Sequence, residues 1–137
     1  MVQRDVRVPF APRWVRWLVA LAVTVVLFAA SVVRPPASAG TALPSAWFHA
    51  VGYAVLALAL AYALHRSRPT WQVVCVAFAL ATVYGVGIEL VQSTLAYRAF
   101  EVGDIVVNAV GAAVAVAGWR LAVSRVRFYR VGVRPRK

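Results

Sequence analysis

The chain has 137 residues, of which 63% are hydrophobic and only 14% charged, where an ordinary soluble domain carries about a quarter. That length fits one domain, and that composition argues against a soluble globular protein and for a membrane protein. The net charge of +11 would suggest nucleic-acid binding in a soluble chain, but here the basic residues stand at the ends of apolar runs. Arginines there orient membrane helices and meet anionic headgroups, so no nucleic-acid partner is expected.

Residues 1–16 form a basic flank holding Arg4, Arg7, Arg13 and Arg16, with Trp14 and Trp17 as interfacial aromatics. An apolar run then extends over about 17–33 and is stopped by Arg34-Pro35-Pro36. At about 1.5 Å per residue it is just long enough to cross the hydrocarbon core. Ala37-Ser38-Ala39 resembles a signal-peptidase site, but the basic flank and the spanning length favour a retained helix. After a short Ala/Ser/Gly/Pro loop, further apolar runs cover about 46–64, 71–92 and 104–122. The single cysteine, Cys75, lies within one of them and reads as core filling. Residues 124–137 form an arginine-rich tail. The sequence therefore predicts an all-α membrane protein: a four-transmembrane-helix bundle over 17–123 between two basic flanks.

Basic residues divide unequally between the connections. Thirteen fall on the N-terminal flank, on Arg66 and Arg68, or from Arg120 onward; Arg34 and Arg98 alone occupy the other two loops. The positive-inside rule then puts both termini in the cytoplasm of a multi-pass cell-membrane protein. The basic tail is expected to sit on anionic lipid.

With that alternation, the polar residues fall at one depth. His49 lies near the outer end of the second helix, Glu89 and Gln92 close the third, and Asp104 and Asn108 open the fourth; Arg98 and Glu101 lie in the loop between. His49, Gly52, Tyr53 and Leu56 share a helical stripe, as do Thr82, Gly85, Glu89 and Gln92. On the fourth helix the stripe Asp104, Asn108 and Gly111 would continue through Ala115, Gly118 and Ala122, letting backbones approach closely. A charge inside the bilayer is costly, so Glu89 is expected to be paired, hydrogen-bonded or protonated, with Arg98 and His49 as available partners.

Each polar residue also has a structural reading. Asp104 suits a helix N-cap, Asn108 an interhelical hydrogen bond, and Tyr53, Tyr84 and Tyr97 the interfacial belt or the core. One histidine and two carboxylates could hold Zn²⁺ or Mg²⁺, but there is no H-E-x-x-H motif or Cys/His cluster, so no metal and no cofactor is assigned.

The ordered set His49-x-x-x-Tyr53, Glu89-x-x-Gln92, Arg98 and Asp104-x-x-x-Asn108-x-x-Gly111 resembles the VanZ-like family of small membrane proteins. The likeness runs from about Ser45 to Gly118. Many relatives carry an Asp-Lys pair where this chain has Ser45 and Ala46, so a mechanism needing that acid or lysine is not expected here. The resemblance implies a link, through the founding member, to glycopeptide (teicoplanin-type) antibiotic resistance. His49, Glu89 and Asp104 are then candidate catalytic groups, with Tyr53, Gln92, Arg98 and Asn108 candidate ligand-binding ones. Three classes fit: binding or remodelling a lipid-linked envelope component at the outer leaflet, acid–base chemistry by Glu89 and His49 on a lipid headgroup, and a small proton-linked transporter, which would have to oligomerise.

Overall fold

The computed structural model describes residues 6–33 and 45–130. Ala37-Ser38-Ala39, Arg34 and the 131–137 part of the tail lie outside the described residues. In chain order the elements are β1 (Val6–Phe10), α1 (Arg13–Val32), α2 (Ser45–Leu64), α3 (Thr70–Gln92), α4 (Val102–Val123) and β2 (Val126–Arg130). All four helices are long and apolar enough to span a bilayer. Their outward faces carry exposed Leu18, Val26, Val83, Val110 and Val114, as lipid-facing surfaces require.

α1 begins at Arg13, a turn before Trp17, so part of the basic flank is helical. Pro12 precedes it with extended backbone and Pro69 does the same for α3. A proline there sacrifices no helical hydrogen bond, because the first N–H groups of a helix have no intrahelical partner. The flanks also pair with each other: β1 and β2 form a two-stranded parallel sheet, from Val6 opposite Val126 to Phe10 opposite Arg130. Their sequence marks these segments only as charged flanks. Because β1 enters α1 and β2 leaves α4, this sheet holds both flanks at one end of the bundle.

α2 is the central helix. It is apolar nearly all round, and Tyr53, Leu56, Ala57, Ala59, Leu60, Ala61, Ala63 and Leu64 are buried. Its contact with α4 is the most extensive of the bundle. The two helices come very close at Gly111, where an added Cβ would stand 2.2 Å from the Ala50 carbonyl oxygen. The buried face of α4 then turns to Ala112, Ala115 and Val116. Gly118 and Ala122 are exposed, and a Cβ at Gly118 would meet nothing within 4 Å. The expected stripe is therefore corrected below Ala115. Trp119, not Gly118, turns inward there, with its ring 5.5 Å from His65 and 6.3 Å from Tyr62. A bulky indole at that level occupies space that a glycine interface would have closed.

The end of the bundle bearing the sheet is locked by Arg16, which is only 7% exposed. Its Nη1 donates to the carbonyls of Tyr62, Ala63 and His65 at 2.9–3.0 Å, the last acceptors of α2 and its C-cap. Carbonyls at a helix C-terminus have no intrahelical donor and carry the negative end of the dipole, so a guanidinium suits them. The Phe10 ring lies against the same guanidinium, 4.1 Å from its carbon. The chain then turns through Arg66, whose φ of 65° is left-handed.

Candidate functional site

At the opposite end, α2 and α4 present their N-termini while α1 and α3 present their C-termini. His49 projects from the first turns of α2, Asp104 from the first turn of α4, and Glu89 from the last turn of α3. One ligating atom from each lies within 4.8 Å of the other two. His49 Nε2 is 3.4 Å from Asp104 Oδ2, and the two side chains keep 16% and 22% of their surface accessible. Glu89 is 1% exposed. The cluster thus has two partly exposed members and one deeply buried carboxylate.

Glu89 is held by the start of α4. Its Oε2 accepts the backbone N–H of Glu101 at 3.2 Å, and Glu101 is the residue that caps that helix. A carboxylate at a helix N-terminus meets unsatisfied N–H groups and the positive end of the dipole. The expected partner Arg98 forms no ion pair with Glu89 among the described residues, and its Nε is buried without a hydrogen-bond partner. Asp104 is not the N-cap of α4: Glu101 holds that position, and its own side chain makes no capping hydrogen bond. Asp104 sits in the first turn, where it complements the dipole, and pairs with His49.

Beneath this trio the polar atoms lack protein partners. Glu89 Oε1, Tyr53 Oη, Thr82 Oγ1 and both amide atoms of Asn108 are buried with no hydrogen bond. Tyr53 and Asn108 meet at Gly85, where an added Cβ would stand 3.0 Å from the Tyr53 ring and 3.4 Å from Asn108 Nδ2. The absent side chain of Gly85 makes that meeting possible. Asn108 is therefore not the interhelical hydrogen bond its position suggested. Each unsatisfied buried group of this kind costs about 1–3 kcal/mol, so a cluster of them is costly unless something outside the chain satisfies it.

The VanZ/LLP1 family profile matches residues 23–123, which include every one of these side chains. The chain belongs to the VanZ-like family. No curated protein and no solved structure matches it. In this VanZ-like protein the motif residues divide into two groups. His49, Tyr53, Glu89, Asp104 and Asn108 converge, while Gln92 turns away and donates from Nε2 to the Ser31 carbonyl of α1 at 3.0 Å. Two tyrosines do similar work: Tyr84 donates to the Thr24 carbonyl at 2.7 Å and Tyr97 to that of Val32. These tethers to α1 escaped the sequence reading, because a backbone carbonyl as acceptor leaves no trace in residue identity.

Between α1 and α2 runs an apolar groove of about 300 Å³, lined by Ala22, Val23, Val26, Leu27, Gly52 and Val55. Gly52 lies three residues after His49, so the groove lies one helical turn from the polar cluster.

Proposed function

We propose that this VanZ-like protein binds or modifies a lipid-linked component of the cell envelope, with the polar pocket at the outer leaflet and both termini in the cytoplasm. The observation that carries the reading is the cluster of buried polar atoms without protein partners at Glu89, Tyr53 and Asn108, reached past the partly exposed His49 and Asp104. A polar headgroup satisfies such atoms, and the adjoining apolar groove suits an acyl chain. Arg98, in the loop above the pocket, supplies a guanidinium for an anionic headgroup. The link to glycopeptide resistance belongs to this reading, as does anionic lipid beneath the basic tail.

Acid–base catalysis by Glu89 and His49 on the same headgroup is the second reading, favoured by the approach of His49, Asp104 and Glu89. The transporter reading finds less support. Below Tyr53 and Asn108 the core is Leu56, Ala57, Leu60, Val73, Ala77, Ala112 and Val116, an apolar plug in a single copy, so a proton route would need an oligomer.

Native mass spectrometry of the detergent-solubilised protein against envelope lipids and lipid-linked precursors tests the proposal. Retention by wild type and loss in Glu89→Gln is the expected result; equal retention by both sinks it. Orientation has a separate test, on a Cys75→Ala background because Cys75 is exposed. A cysteine replacing Arg98 should label from outside intact cells, and labelling only after permeabilisation would invert the topology.

A further inference from the structure

We propose that His49, Glu89 and Asp104 are the protein ligands of a divalent transition-metal ion, with Zn²⁺ the best match. One imidazole and two carboxylates, from three helices, offer ligand atoms within 4.8 Å of one another. The 3.4 Å between His49 Nε2 and Asp104 Oδ2 is long for a charge-assisted hydrogen bond, which runs about 2.7–2.9 Å. It is the right length for a coordination edge, since two ligands about 2.0–2.1 Å from a tetrahedral zinc stand about 3.4 Å apart. Bringing the widest separation to that edge takes about 1.4 Å of side-chain movement, within reach of a glutamate's rotamers.

A second, independent observation comes from Glu89. It is 1% exposed, only Oε2 is engaged, by the Glu101 N–H, and Oε1 has no hydrogen-bond partner. Glu89 and Asp104 bring two carboxylates together beside one imidazole. Among the described residues no arginine forms an ion pair with either of them. A dication cancels both charges and takes the free oxygen. The imidazole selects within that class: nitrogen suits Zn²⁺ better than Mg²⁺ or Ca²⁺, which favour all-oxygen shells. Three protein ligands leave a position open, and the partial exposure of His49 and Asp104 puts it toward the mouth of the pocket. Asn108, one turn after Asp104 and 1% exposed, supplies an amide to orient a ligand carboxylate or a bound oxygen.

The metal deepens the envelope-ligand reading by giving an anionic headgroup a cation to meet. It rests on that reading only for its use, and retention of the ion is read without envelope lipid. The full-length protein, tag removed, is stripped with chelator in detergent, incubated with Zn²⁺ or with Mn²⁺ in separate arms, desalted, and its metal content measured. Wild type is expected to retain about one ion per chain and to melt at higher temperature when loaded. His49→Ala and Asp104→Asn, at partly exposed positions, should lose at least ten-fold in retention while eluting as the same species; Gln92→Ala, on the α1 tether, should keep the ion. Retention in wild type no greater than in His49→Ala overturns the proposal, as does retention unchanged in both ligand variants. Lipid binding that persists in a metal-free wild type overturns the metal's use but leaves the envelope reading standing.

Discussion

Gly111 of α4 faces Ala50 of α2 so closely that a Cβ on the glycine would lie 2.2 Å from the Ala50 oxygen and 2.8 Å from its carbonyl carbon. Backbone cannot swing aside as a side-chain tip can. This approach brings the N-terminal ends of α2 and α4 together, and the residue before Ala50 is His49, paired with Asp104. Gly111→Ala should therefore lower stability by about 3 kcal/mol, the upper part of the usual range for overpacking. It should also weaken any ligand retained by His49 and Asp104. Gly118→Ala is the control: the site is open, and exchanging glycine for alanine within a helix gains up to about 1 kcal/mol. Thermal unfolding in detergent checks both, and a neutral Gly111→Ala would disprove the close approach.

The clasp at the opposite end gives a second expectation. Arg16 donates to three carbonyls at the end of α2, and a hydrogen bond from a charged donor is worth about 1.5–3 kcal/mol. Arg16→Ala should cost about 3 kcal/mol, since the loss includes desolvated carbonyls and the face of Phe10. Arg16→Lys should recover only part, because a flexible ammonium lacks the planar guanidinium that stacks on an aromatic face. Full recovery by lysine would show that charge alone matters there.

A histidine beside that clasp gives a pH dependence. Burial holds the His65 imidazole below the usual histidine range, and Arg66 and Arg16 push it further down. In the unfolded chain the same group takes up its proton near pH 6.5, while the folded form resists until lower pH. The unfolded state thus binds more protons between those two values. Stability is fully present above about pH 6.5 and falls as pH drops through the window towards the folded value. The melting temperature should decline from pH 7.5 to 5.5. His65→Phe, which keeps an aromatic ring beside Phe10 and Trp119, should flatten part of that slope. An unchanged slope in His65→Phe would move the effect to other groups.

How much of this was legible beforehand depends on what kind of partner each residue has. His49, Glu89 and Asp104 stood out because polar types are rare in so apolar a chain and their spacing put them on facing stripes. Helix alternation then placed them at one end, where the structure brings them within reach of each other. Arg16, Gln92 and Tyr84 were opaque because each donates to a backbone carbonyl, an acceptor every residue possesses. The pairing of Glu89 with the Glu101 N–H was hidden for the same reason, and Arg98 drew attention because a charge partner is what sequence can show. The sheet between β1 and β2 joins segments at opposite ends of the chain, and no local pattern announces such a pairing.

The tethers of α1 make the last prediction. Tyr84 Oη donates to the Thr24 carbonyl and Gln92 Nε2 to that of Ser31, so two side chains of α3 hold the C-terminal half of α1 against the bundle. Apart from these, α1 is sparsely packed, with only Arg16 and Ala20 buried along it. Lipid tails are as apolar as the helix faces, so burial of apolar surface does little to hold helices together in a bilayer, and polar contacts count for more. Interhelical hydrogen bonds there contribute about 0.6 kcal/mol on average. Tyr84→Phe with Gln92→Leu should therefore cost only about 1–2 kcal/mol in global stability, yet free α1 to move. The measurement is disulfide trapping between Leu27→Cys and Gly52→Cys on the Cys75→Ala background, since a Cβ at Gly52 would lie 2.7 Å from the Leu27 side chain. Crosslinking should be rapid with the tethers intact and clearly slower without them. Equal rates would mean that α1 is held by its packing on α2, by the Arg16 clasp and by the Tyr97 hydrogen bond to Val32.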